Sequence, residues 1–202
     1  LGRRPYWPIY PAATTLGLAI GIHAGSTYRH APMSSGWPAH RVEDYVAQSA
    51  AFESQLLSFL AEGVFQEFPA LRLVLIESGF AWLPSLLWRT SKSWRGMRAE
   101  VPWIDRSPAE IIREHVRVTL QPVDAPPGDT LTLARTLEHI GSDRMLLFST
   151  DYPHWQFDGD AVLPDGLSDE MLRRILIDNP LETYPRLQDG VQISDSAASN
   201  KE

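Results

Sequence analysis

The sequence predicts an α/β fold of about four parallel strands, each followed by a helix. Three observations carry that prediction. Short apolar, strand-like runs alternate with segments of helical periodicity. One run, residues 71–77 (LRLVLIE), is nearly all apolar, as expected of a strand covered on both faces. Glycines, prolines and capping residues mark the changes from one kind of segment to the other. Repeated β-then-α units imply parallel strands joined by right-handed crossovers. Four such units fit either a small open sheet or half of an eight-stranded barrel.

The elements follow in order. Residues 5–16 carry apolar groups at helical spacing and end at Gly17, a C′ glycine. Residues 19–23 read as a short buried strand, closed by Ala24-Gly25-Ser26. A long polar and aromatic loop then runs to about Arg41. A helix over about 42–62 gathers Tyr45, Phe52, Leu56, Phe59 and Leu60 on one face. Phe68-Pro69 stops a short helix, strand 71–77 follows, and Ser78-Gly79 turns the chain into a helix over about 82–94. Ser107-Pro108-Ala109-Glu110 has the pattern of a capping box, with Pro at the first position of a helix ending near Glu114. Residues 116–120 are a β-branched strand. A Pro-rich loop, 121–129, leads to a helix over 130–140 that Gly141 ends. Residues 145–151 form the last strand, and Ser168 caps a final helix to about Asp178. The globular part is expected to span 1–188. The small, polar stretch 189–202 reads as a disordered tail.

Composition narrows the function. With 18 Lys and Arg against 25 Asp and Glu, the net charge is −7 and no basic run exists. Nucleic acid is therefore not an expected partner. No apolar run approaches the roughly 20 residues that span a bilayer, so no membrane partner is expected either. The absence of cysteine excludes disulfides, thiolate chemistry and Cys-based zinc sites. A cytoplasmic location is the default. The opening Leu1-Gly2-Arg3-Arg4-Pro5 has no signal-peptide pattern and no initiator Met, which reads as a fragment. No GxGxxG or GxxxxGK[ST] follows any strand, so a nucleotide-binding open sheet loses support. Seven Trp and sixteen Pro are high counts for this length, and many sit between the periodic segments, as in Tyr6-Trp7-Pro8, Gly36-Trp37-Pro38, Val101-Pro102-Trp103 and Tyr152-Pro153-His154-Trp155. Such aromatics either line a pocket for a planar ligand or fold down on themselves.

Three strands finish on a polar residue: His23, Glu77 and Asp151. In a barrel these ends converge on one mouth. A His and an Asp brought there from different strands suit a divalent metal such as zinc or manganese. A strand-end Asp beside a metal can also take a proton from water whose pKa the metal lowers to about 7. The structural alternatives are a hydrogen-bonding histidine and an aspartate that caps its turn.

At this point several motifs become recognisable. Residues 149–155 (STDYPHW) resemble the SxDYPHW segment that ends the last strand in a large subgroup of the amidohydrolase superfamily, which includes aminocarboxymuconate-semialdehyde decarboxylase. Residues 68–84 (FPALRLVLIESGFAWLP) are similar to that subgroup's sixth-strand segment, and Ile22-His23-Ala24-Gly25 to its fifth-strand metal histidine. Glu100-Val101-Pro102-Trp103 and Arg113-Glu114-His115-Val116-Arg117 fit the same pattern. The resemblance runs from about Tyr6 to Tyr184 and implies the C-terminal half of a TIM (β/α)8 barrel.

The resemblance makes His23 and Asp151 metal ligands, Asp151 also a catalytic residue, and His154 and Trp155 candidate substrate-binding residues beside the mouth. Packing of His154 among Tyr152 and Trp155 is the alternative. Glu77 stands where many superfamily members place a histidine; it either polarises water or substrate, or bonds neighbouring backbone. The first-strand metal ligands have no counterpart, and two ligands rarely hold a catalytic zinc. His30 and His40 read as exposed loop residues, and His115 and His139 as structural. The expectation is a metal-dependent hydrolase or non-oxidative decarboxylase acting on a small carboxylated or ring substrate. It is expected to be inactive alone, and to form a homo-oligomer or pair with a missing N-terminal half. The rival is a non-catalytic half-barrel serving as an assembly subunit.

Overall fold

A computed structural model describes residues 1–25, 31, 35–125, 128–155, 157, 159 and 162–188. Four strands, β1 (Ile20–His23), β2 (Leu73–Ile76), β3 (Val116–Thr119) and β4 (Leu146–Leu147), form one parallel sheet in the order β1-β2-β3-β4. Each strand pairs with the next in the chain, His23 opposite Ile76 and Val74 opposite Arg117. A doubly wound open sheet reverses its strand order at a switch point. This sheet does not reverse, which is the winding of a barrel wall.

Helices α1 (Ile9–Thr15), α2 (Arg41–Ala61), α3 (Val64–Glu67), α4 (Leu83–Met97), α5 (Pro108–His115) and α6 (Thr130–Ile140) fill the connections. α7 (Asp169–Arg173) and α8 (Asn179–Thr183) are joined by a π-helical turn, Arg174–Asp178. Side chains alternate across a strand, and here the alternation separates two faces. Leu73, Leu75, Val116, Val118 and Leu146 enter a core with Phe52, Leu56 and Phe59 of α2, Leu83 and Leu87 of α4, and Ile111 and Ile112 of α5. Val74, Arg117, Thr119 and Leu147 point the other way and are also buried. On that face the exposed strand residues are those of β1, Gly21 and His23. Arg117 is only 2% exposed and donates from Nη1 to the carbonyls of Glu114 at 3.1 Å and Val116 at 3.0 Å. Desolvation lowers its pKa to about 10.

Most predicted boundaries agree with the structure to within a few residues. Gly17 and Gly141 take positive φ just past their helices, and Asp129 caps α6 by accepting from Thr132 N–H. Three readings change. The Ser107 hydroxyl makes no capping bond and pairs instead with Ser91 Oγ at 3.1 Å. The last strand is only two residues long, Leu146–Leu147, paired with Val118 and Thr119 of β3. Tyr45 leaves the apolar face of α2, whose buried residues are Ala47, Phe52, Leu56, Phe59 and Leu60. The predicted tail, 189–202, and His30 lie outside the described residues.

Candidate functional site

The C-terminal ends of the strands open into a cleft of about 660 Å³. Its floor holds the three strand-end residues. His23 is the last residue of β1, and its Nδ1 lies 2.6 Å from the Ala24 carbonyl, which can only accept; Nδ1 therefore carries a hydrogen. That leaves Nε2 facing Glu77 Oε1 at 3.0 Å. Glu77 follows β2 directly with φ +58°, its N–H donating to Thr119 Oγ1 at 2.9 Å. Asp151 lies four residues beyond β4, also with φ +58°. Left-handed backbone is uncommon outside glycine, more so for Glu than for Asp, and such outliers concentrate at functional sites.

Asp151 Oδ2 accepts from His154 Nδ1 at 2.7 Å, and the Asp151 carboxyl lies beside that of Glu77. Burial, and next the adjacent Asp151 carboxyl, raise the Glu77 pKa above the usual carboxylate value, while the nearby His23 opposes. The result is two polar pairs on the floor, His23–Glu77 and Asp151–His154, with the two carboxyls side by side. Among the described residues no group of three or more His, Asp or Glu side chains is arranged to hold a metal ion.

The wall comes from residues that the sequence reading did not select. Arg41, Asp44, Tyr45 and Gln48 recur at i, i+3, i+4 and i+7 on α2, one face of a helix. Gln48 accepts from Gly25 N–H at 3.2 Å, which ties this face to the end of β1. Asp124 lines the opposite side, from the loop after β3. Its neighbours Val123 and Ala125 pack against the core, and desolvation raises its carboxyl pKa. The space it occupies exists because residue 79 is glycine: a Cβ there would lie 1.7 Å from Asp124 Oδ2, and φ at Gly79 is +63°. Gly79→Ala is thus expected to displace the Asp124 carboxyl and to destabilise the fold by roughly 1–2 kcal/mol from the left-handed backbone alone. Denaturant titration of the variant checks this, and an unchanged midpoint would count against the packing described.

Of the aromatic loops, two fold down on the protein. Trp7 Nε1 donates to the Gly2 carbonyl and Trp103 Nε1 to the Ala61 carbonyl. Trp155 stands at the rim of the cleft, 68% exposed, its Nε1 3.3 Å from Tyr45 Oη and its ring edge-on to Tyr45. His154 lines the cleft itself. His40 is exposed beside Glu43, His115 is buried against the Leu71 carbonyl, and His139 meets Trp88 edge-on.

A family model described as amidohydrolase matches residues 1–186. The chain belongs to the amidohydrolase family. An amidohydrolase from Mycobacterium avium subsp. paratuberculosis K-10 superposes with a TM-score of 0.70 at 25% identity, over 91% of this chain and 46% of that one. A dihydroxybenzoic acid decarboxylase from Polaromonas sp. JS666, solved with manganese and the inhibitor 2-nitroresorcinol, gives 0.64 at 20% identity, over 91% and 55%. A 5-carboxyvanillate decarboxylase from Sphingomonas paucimobilis gives 0.66 at 19% identity, over 91% and 54%. The last two likenesses concern the fold. No curated protein matches the sequence. The chain spans about half the length of the solved relatives it matches, and its four parallel strands form half of a TIM barrel. No helix among its described residues is long and apolar enough to cross a membrane.

Proposed function

We propose that this chain carries the His23–Asp151 side of the active site of a metal-dependent hydrolase or non-oxidative decarboxylase for small carboxylated or ring substrates. The observation that supports it best is the meeting of His23, Glu77 and Asp151, from three separate strand ends, in one cleft at the C-terminal end of a parallel sheet. Family membership supports the chemistry, and the decarboxylases among the fold's neighbours support the lyase version.

The donor set suits a divalent cation. His23 has Nδ1 bonded to a backbone carbonyl, the arrangement that orients a ligating imidazole and leaves Nε2 as the ligand atom. The neighbouring carboxyls of Glu77 and Asp151 repel one another, and a cation between them would relieve that repulsion. His23 and Asp151 are the proposed ligands, and they must exchange their present partners to bind. Zinc and manganese both fit an imidazole–carboxylate set, and one fold neighbour holds manganese. When bound, the metal supplies Lewis-acid polarisation and acidifies water. The chain's residues do the rest. In hydrolysis Asp151 takes the proton of the attacking water, held in place by His154. In decarboxylation a proton carried by Glu77, whose carboxyl pKa is raised, is delivered to the carbon that loses carbon dioxide.

A catalytic zinc usually has three protein ligands, so we propose that a partner completes the barrel. It is either a further N-terminal segment or a second copy, and the chain alone is inactive. The second reading, a non-catalytic assembly subunit, draws on the pairing of the floor residues with one another rather than toward a common centre. Metal analysis by mass spectrometry of the untagged chain and of a His23→Ala, Asp151→Ala double variant separates the two. Near-stoichiometric zinc or manganese, lost in the variant, is the expected result. A metal-free parent would give the assembly reading the lead. Release of carbon dioxide rather than a new acid would then mark the lyase.

A further inference from the structure

The cleft is electrostatically lopsided. Four carboxylates line it, Asp44, Glu77, Asp124 and Asp151, whereas Arg41 is the one Lys or Arg among its described lining residues. Arg41 makes no ion pair and no hydrogen bond among the described residues; its Cζ lies 5.8 Å from the Tyr45 ring centroid. A guanidinium that meets no carboxylate among the described residues offers its planar fork of donors, and that fork matches a carboxylate in bidentate fashion.

Its surroundings supply the rest of a ligand site. Arg41 and Tyr45 are one helical turn apart on the wall face of α2. Tyr45 in turn meets Trp155 edge-on, 5.5 Å between centroids. The Tyr45–Trp155 contact joins α2 to the loop after β4, so the guanidinium and the aromatic pair adjoin the floor from one side. An anionic ligand entering this cleft is repelled by the carboxylates and attracted at Arg41.

We propose that Arg41 anchors the carboxylate of a carboxylated aromatic ligand, whose ring rests on the Tyr45–Trp155 pair and faces the His23–Asp151 floor. This rests on the reading above that the cleft is a substrate site, and it adds the ligand's orientation and the residue that selects it. Arg41 and Tyr45 thereby become specificity-determining residues that a reading of strand ends does not reach.

The test is ligand-observed NMR titration of the full chain with benzoate and with its neutral isostere benzamide, each run with and without a chelator. The parent is expected to bind benzoate about tenfold more tightly than benzamide, a difference in the range of one charge-assisted bidentate contact. That preference should survive the chelator, because Arg41 and not a metal supplies it. Arg41→Gln should bring the ratio to about one, and Arg41→Lys, which keeps the charge without the fork, should retain part of it. Equal binding of both probes by the parent, binding of neither, or an unchanged ratio in Arg41→Gln would each overturn the proposal. Loss of the preference on chelation would assign it to the metal and overturn the role of Arg41. A metal-free parent that still prefers benzoate would sink the metal reading and leave Arg41 in place, so the two failures are distinguishable. Circular dichroism of each variant confirms that a lost preference is not lost folding.

Discussion

Phe65→Ala is expected to lower the stability of the chain by about 3–5 kcal/mol, the range measured when a buried phenylalanine is cut back to a methyl group. Phe65 lies in the short helix α3, 2% exposed, in the middle of a row of rings. Tyr10 of α1 packs on Phe59 of α2 at 5.5 Å, Phe59 stacks on Phe65 at 5.7 Å, and Phe65 stacks on His115 of α5 at 4.7 Å. Removing the third ring of four leaves the second and fourth without a partner across the gap. The lost transfer energy is then increased by a cavity that the flanking helices cannot close without moving the sheet they cover. Domains are stable by only about 5–15 kcal/mol, so this variant should sit near the edge of folding. Equilibrium denaturation in urea is the measurement, with the midpoint falling at an unchanged m-value. A loss below about 1 kcal/mol would mean that the row collapses freely, and would discard this account of the core.

The parts of the molecule that could be read from the sequence are those where local pattern and tertiary role coincide. The alternation of 71–77 with the helices around it was legible because β2 is buried on both faces and tolerates little else. His23, Glu77 and Asp151 were legible as a group because parallel strands bring all their C-terminal ends to one side. The sequence could not show that the Glu77 and Asp151 carboxyls would lie side by side, since that depends on the left-handed turns that place them. Ser107 misled because its hydroxyl had a competing partner, Ser91, which only the packing of α4 against α5 supplies. Tyr45 misled in the same way: at helical spacing it belongs with Phe52 and Leu56, but the helix extends past the core edge, and there the stripe faces the cleft. Arg41 and Asp124 carried no signal of their own. One is an ordinary surface arginine on a helix, and the other becomes a wall residue only because Gly79 leaves room for it.

His115 leads to an expected pH dependence that can be isolated. Its imidazole is 2% exposed, stacked on Phe65, with Nδ1–H donating to the Leu71 carbonyl at 2.9 Å. Burial holds its pKa below the ordinary value of 6.5, and Arg72 and Arg106 add to that, against the Leu71 carbonyl and Glu114. The unfolded chain therefore takes up a proton at this residue near pH 6.5, while the folded chain does so only at lower pH. In that window the unfolded state binds more protons. The contribution is complete above the unfolded pKa and declines as the pH falls through the folded one, by at most about 1.4 kcal/mol per pH unit. His115→Gln removes the titration and keeps an amide donor for Leu71. Glu53, Glu77 and Asp124, whose pKa values are raised, titrate in both proteins and cancel when the two stability curves are subtracted. The parent's advantage over the variant should thus shrink between about pH 7 and pH 5, whereas a difference that stays constant would show that the histidine is hydrated in the folded state. The Phe65→Ala background sharpens the point. With the ring gone, water reaches the imidazole, its pKa returns toward 6.5, and the His115-dependent slope should flatten, because desolvation by that ring is part of what keeps the proton off.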